Sequence, residues 1–150
     1  MSDYSKDAVA VWKSGTAFEI ATTSGATLIS DGDAKVGMSP VEMVLAALVG
    51  CTGADVIEIL RKKRQEVTRL EVRVHGERGA AHPRMYTSYQ LTYIVTGHGV
   101  DPAAVRRAIE LSELKYCSVS AMLRATAPIE IKFEVHEVAA ASAAAQGAAA

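Results

Sequence analysis

Before residue 31 the chain alternates apolar and other positions in short runs. Val9 and Val11, then Phe18 and Ile20, each skip one residue, and Lys13-Ser14-Gly15-Thr16 between them supplies a turn. Thr27-Leu28-Ile29 reads as a third strand, and Ser30 to Met38, rich in Asp and Gly, as a loop. The pattern then changes period. From Val41 to Leu60 apolar residues cover most of the surface of one long helix. Ser39 can cap it, Pro40 suits its first position, and Glu42 completes a capping box with Ser39. Arg61-Lys62-Lys63-Arg64 ends it with cations that complement the helix dipole. A helix apolar on nearly every side is expected to be buried almost all round. One small sheet cannot supply that cover, so a partner chain is expected to.

The second half repeats both periods. Leu70, Val72 and Val74 alternate with Glu71, Arg73 and His75, predicting a half-exposed strand to Glu77. After a polar loop, Met85 to Thr96 predicts a second long strand, antiparallel to the first and closed by Gly97-His98-Gly99. Asp101-Pro102 opens a helix running to about Lys115. A shorter helix follows from Ser118 to Arg124, and Ile129 to Val135 alternates strictly as a last strand. Residues 139–150, nearly all alanine, are expected to form a frayed tail after a single domain over residues 1–138. Strands, long helix, hairpin, two helices and strand make an α+β order rather than alternating βαβ.

Charge excludes more than it suggests. A formal net charge of −1 gives no electrostatic reason to expect nucleic acid or an anionic membrane surface. Glu42, Asp55 and Glu58 would be costly inside a bilayer, so the long helix reads as the core of a soluble protein. The Met1-Ser2-Asp3-Tyr4 start lacks the features of a signal peptide, so a cytoplasmic location is expected. His75, His82, His98 and His136 have no ligand spacing, so neither metal nor cofactor is expected.

Two cysteines are the candidate chemistry. In a reducing compartment, thiols that cycle are a better reading than a permanent crosslink. Cys51 lies deep in the long helix, where it could equally be a small core residue. At about 100° per residue, Asp55, Glu58 and Lys62 share its face, and a carboxylate at i+4 disfavours a thiolate. Glu42, nine residues earlier, points to the opposite side. Cys117 sits at the start of the Ser118 helix, beside Lys115, and on local grounds is expected to be the more acidic thiol. Packing at a helix junction would explain it as well.

The segment Met38-Ser39-Pro40-Val41-Glu42-Met43-Val44-Leu45-Ala46-Ala47-Leu48-Val49-Gly50-Cys51-Thr52-Gly53-Ala54-Asp55-Val56 resembles the OsmC/Ohr family, in its YhfA-type branch. Tyr93 to Gly97 and Ser112 to Val119 resemble the same branch, and the similarity covers residues 8 to 137. The resemblance implies an OsmC-like α+β fold, with antiparallel sheets around a long buried central helix, in an intertwined homodimer. It implies a thiol-dependent reductase of organic hydroperoxides, recycled by a dithiol reductant such as a lipoyl group. Cys51 falls on the family's peroxidatic cysteine and Cys117 on its resolving cysteine. Glu42 lies one residue after the family's catalytic glutamate, where this chain has Val41. The arginine that those peroxidases carry before the first cysteine is absent. No arginine precedes Arg61, which leaves Lys35, then Lys13, as the cation expected to serve Cys51. The alternative reading is a catalytically weak dimer that binds a small ligand or senses redox state.

Overall fold

A computed structural model describes residues 4–139. They form two compact units, one up to Ala46 and one from Ala47. Beyond residue 139 the expected alanine tail lies outside the described residues.

The N-terminal unit is an antiparallel meander of β1 (Ala8–Ser14), β2 (Ala17–Thr22) and β3 (Thr27–Asp31). Gly15 turns β1 into β2 at φ +52°, a left-handed conformation that suits glycine. Every residue of β1 is exposed within this chain, including Val9, Val11 and Trp12. The loop after β3 is organised by one carboxylate. Asp31, buried, accepts from Thr16 Oγ1 at 2.6 Å and from the N–H groups of Asp33, Lys35 and Val36 at 3.0, 3.0 and 3.2 Å.

The Thr16 hydroxyl foremost, then these N–H groups, lower the Asp31 pKa to about 2. A folded pKa below the unfolded one stabilises the fold above the unfolded value of about 3.9. That contribution is lost as pH falls from there through the folded value. Asp31→Asn should therefore lower stability at neutral pH and flatten the acid limb of a pH-dependent urea unfolding series. An unchanged acid limb would contradict this assignment.

The long helix α1 (Pro40–Lys62) begins in the first unit and continues into the second. Its start is the expected capping box. The N–H and Oγ of Ser39 each donate to Glu42 Oε2 at 2.8 Å, and the Glu42 N–H faces Ser39 Oγ at 3.4 Å. Within one chain α1 is not buried all round. Only the i, i+4 stripe Leu48, Thr52, Val56 and Leu60 is buried, and the remaining apolar side chains are half-buried or exposed. By length and composition α1 could cross a membrane. Its stripe instead meets protein: Thr52 hydrogen-bonds Tyr93, and Gly53 faces Val72 closely enough for an added Cβ to lie 3.5 Å from its methyl.

The C-terminal unit carries a mixed sheet in the order β4-β5-β6. The predicted hairpin is present as β4 (Glu66–Arg78) antiparallel to β5 (Tyr86–His98). Both strands are longer than their hydrophobic runs. A bulge between Val67 and Arg69 carries β4 past Gly97, where a Cβ would stand 2.1 Å from the Glu66 carbonyl oxygen, so no side chain fits there. The chain then forms α2 (Pro102–Leu111), capped by Asp101 Oδ1 accepting from the Ala103 N–H at 2.9 Å. A π-helical turn over Ser112–Tyr116 and α3 (Ser118–Arg124) lead to β6 (Ile129–Glu137). β6 lies parallel to β5, from Tyr89 opposite Ile129 to Gly97 opposite Glu137. The sheet is thus not purely antiparallel as expected, because the helical segment carries the chain back to the starting end of β5. Tyr89, Leu91, Tyr93 and Val95 alternate inward from the central strand, joined by Val105, Ala108 and Ile109 of α2. Each fully buried Leu, Val or Ile among them contributes about 1.5–3 kcal/mol.

Candidate functional site

Cys51 reaches the site from α1, one residue before the buried stripe position Thr52, and Asp55 follows one helical turn later. Cys117 arrives from the far end of the chain because the second helix does not run on to Lys115. It stops at Leu111, and the backbone widens so that the Cys117 N–H donates to the Ser112 carbonyl five residues back, at 2.8 Å. Such π-helical turns concentrate at functional sites. The result brings together residues distant in sequence. The two sulfurs and a carboxylate oxygen of Asp55 all lie within 4.8 Å of one another, and both thiols are free. Cys51 and Asp55 are half-buried, and Cys117 is buried at 2% exposure.

Behind the thiols runs a buried chain of hydroxyls and acids. Ser112 Oγ donates to Asp55 Oδ2 at 3.0 Å and lies 2.9 Å from Thr52 Oγ1, itself 2.6 Å from the Tyr93 hydroxyl. Tyr93 donates to Glu113 Oε1 at 3.3 Å, and Ser120 Oγ donates to Glu113 Oε2 at 2.5 Å, where the Arg124 guanidinium also donates. The chain closes on the site, since the Ser120 N–H donates to Cys117 Sγ at 3.3 Å. Among the described residues no buried side-chain N or O atom lacks a partner. With Ser112 donating to Asp55 and Tyr93 to Glu113, the single Thr52 proton goes to one of its two hydroxyl neighbours. Burial foremost makes Tyr93 hold its phenolic proton more tightly than a free tyrosine.

The expectation that Cys117 is the more acidic thiol is overturned. Its pKa is pushed up to about 12, by burial foremost and then by the adjacent Cys51 and by Glu113. The Ser120 N–H opposes them without winning. Lys115 does not serve it, standing instead 5.3 Å over the Tyr116 ring. Glu58 pairs with Lys62 at 2.7 Å on the helix surface. Within the N-terminal unit, Lys35 pairs with Asp33 and Lys13 with Glu19, while the Glu42 carboxylate is engaged in the helix cap. That cap holds its pKa below the usual range, through the Ser39 N–H and then the Ser39 hydroxyl.

No sequence motif assigns a role to Thr52, Tyr93, Ser112, Glu113, Ser120 or Arg124. One signal was available. Thr52 interrupts the otherwise apolar spacing Leu48, Val56, Leu60, and a polar residue on a buried stripe requires a partner. Asp55, on the same helical face as Cys51, accepts from Ser112 Oγ.

The protein family described as OsmC-like protein matches residues 31–132. The chain belongs to this family. Among its relatives, Protein YhfA of Escherichia coli strain K12 is 42% identical over 125 residues, covering 83% of this chain and 93% of YhfA. The OsmC-like fold also superposes on a hypothetical protein from Aquifex aeolicus VF5 with a TM-score of 0.82. Identity there is 31%, over 90% of this chain and 98% of the other. The organic hydroperoxide resistance protein OhrB of Bacillus subtilis shares the fold at a TM-score of 0.59. It is 14% identical, over 89% of this OsmC-like chain and 100% of OhrB.

Proposed function

We propose that this OsmC-like protein is a thiol-dependent hydroperoxide reductase working through Cys51 and Cys117. The observation that carries this reading is the approach of the two free thiols, with the Asp55 carboxylate beside them. The attacking thiolate is assigned to half-buried Cys51, which substrate can reach. It takes the terminal oxygen of the hydroperoxide, the O–O bond breaks, and the alkoxide leaves as an alcohol after protonation. Cys117 then attacks the sulfenic sulfur, forming the disulfide and expelling the oxygen as water. Asp55 is assigned as the group that receives the Cys117 proton, which burial otherwise retains, and passes it to the departing hydroxide. A dithiol reductant, for which a lipoyl group is the model, returns both cysteines to thiols.

A homodimer in the reducing cytoplasm is part of the same reading. The exposed Val9, Val11 and Trp12 and the half-buried apolar flanks of α1 are surface that a second copy would cover. The structure accounts for Glu42 by its cap alone, so its catalytic role rests on its place beside the family position.

The test is peptide mapping after a stoichiometric organic hydroperoxide is added to reduced protein. The expected product is a single crosslinked species joining the Cys51 and Cys117 peptides within one chain, with dithiol-driven turnover on repeated addition. Crosslinking without turnover would favour the redox-sensing alternative. No oxidation of either thiol would remove both.

A further inference from the structure

We infer that the reduced site is also a zinc site, formed by Cys51 Sγ, Cys117 Sγ and an Asp55 carboxylate oxygen. The three donor atoms already lie within 4.8 Å of one another. Sulfurs bound at about 2.3 Å to a tetrahedral zinc stand roughly 3.8 Å apart, so closing on an ion takes side-chain adjustments of an ångström or less.

The donor set selects the metal. Two thiolates suit a soft or borderline cation and not magnesium or calcium, which take oxygen ligands. Three protein ligands leave one position for water, as in open zinc sites. Supporting groups are in place, since Ser112 Oγ holds Asp55 Oδ2 and the Ser120 N–H holds Cys117 Sγ. Charge argues the same way. Among the described residues none of the three donors is held in an ion pair; Lys62 and Lys63 line the cavity beside Asp55, and a bound dication would balance the two thiolates formed on binding. Entry is open: Asp55 lines a cavity of about 370 Å³ together with Ile59, Leu111 and Tyr116.

Binding forms two zinc–sulfur bonds and releases the two thiol protons to solvent, with no change of oxidation state. Disulfide formation uses the same sulfurs, so bound zinc and the disulfide exclude each other. Zinc therefore caps the thiols, and the oxidised pair cannot hold it.

Cobalt(II) is the probe. Protein reduced with a phosphine and desalted is titrated with cobalt(II), followed by competition with zinc. The expected result is a single equivalent per chain, with a thiolate-to-cobalt charge-transfer band and tetrahedral ligand-field bands, displaced by zinc. Cys51→Ser and Cys117→Ser should each lose most of the charge-transfer intensity, and Asp55→Ala should weaken binding by at least about tenfold. Should a cysteine variant fail to fold, disulfide-oxidised wild-type protein is the second measurement, and it should bind no cobalt until reduced. Spectra without the charge-transfer band, or an affinity unchanged in Asp55→Ala, would overturn the inference. The readout is equilibrium binding, so protein inert to peroxide that binds cobalt would retain this site and lose the reductase reading.

Discussion

Cys51→Ser is expected to reduce peroxide consumption to the rate of hydroperoxide and dithiol without protein. Cys117→Ser is expected to consume a single equivalent per chain and then stall. The asymmetry follows from access and division of labour. Cys51 is half-buried and Cys117 almost wholly enclosed, with burial raising the Cys117 pKa, and on that difference the proposed reaction assigns Cys51 to the peroxide. Without Cys117 the sulfenic acid has no partner thiol, and a dimedone adduct on Cys51 should appear by mass spectrometry. The reverse pattern, stalling in Cys51→Ser and abolition in Cys117→Ser, would exchange the two assignments.

Arg124→Met is expected to cost about 3 kcal/mol of stability, the low end for breaking a buried ion pair. Glu113 has a side chain only 3% exposed, and Arg124, itself 39% exposed, is its ion-pair partner among the described residues. Removing the guanidinium leaves the Glu113 carboxyl in the protein interior with Ser120 and Tyr93 as its donors among the described residues. Glu113→Gln should cost less, because a neutral amide needs no countercharge. The double variant should recover part of the loss. Urea unfolding midpoints at constant m-value would show the order, and an Arg124→Met midpoint equal to wild type would remove Glu113 as a buried charge.

Much of the fold was legible because its elements announce themselves locally. The Ser39–Glu42 box, the Asp101 cap and the alternation of Ile129 to Val135 are each written within a few residues, and each appears where expected. The direction of the last strand was not, since parallel or antiparallel pairing of β6 depends on where the helices deliver it. Nor was the break at Leu111 legible. Leu111 to Tyr116 continues a helical pattern, and only the side-chain commitments of Ser112 and Glu113 accompany the widened turn. The two cysteines could be singled out, yet helix positions 51 and 55 alone do not reveal that residue 117 joins them. The raised pKa of Cys117 is not legible for a related reason: helix N-termini and nearby lysines are visible in sequence, while burial is not.

The parallel β5–β6 pairing has a consequence for the order of assembly. A hairpin such as β4–β5 closes with a short loop, but β6 can dock only after residues 99–128 have crossed the sheet. Long-range pairings of that kind form slowly. Cys117 lies inside the crossover, so the segment that carries it to Cys51 is the same one that delivers β6 to the sheet. Until Ile129 to Glu137 pair with it, that edge of β5 lacks its partner strand.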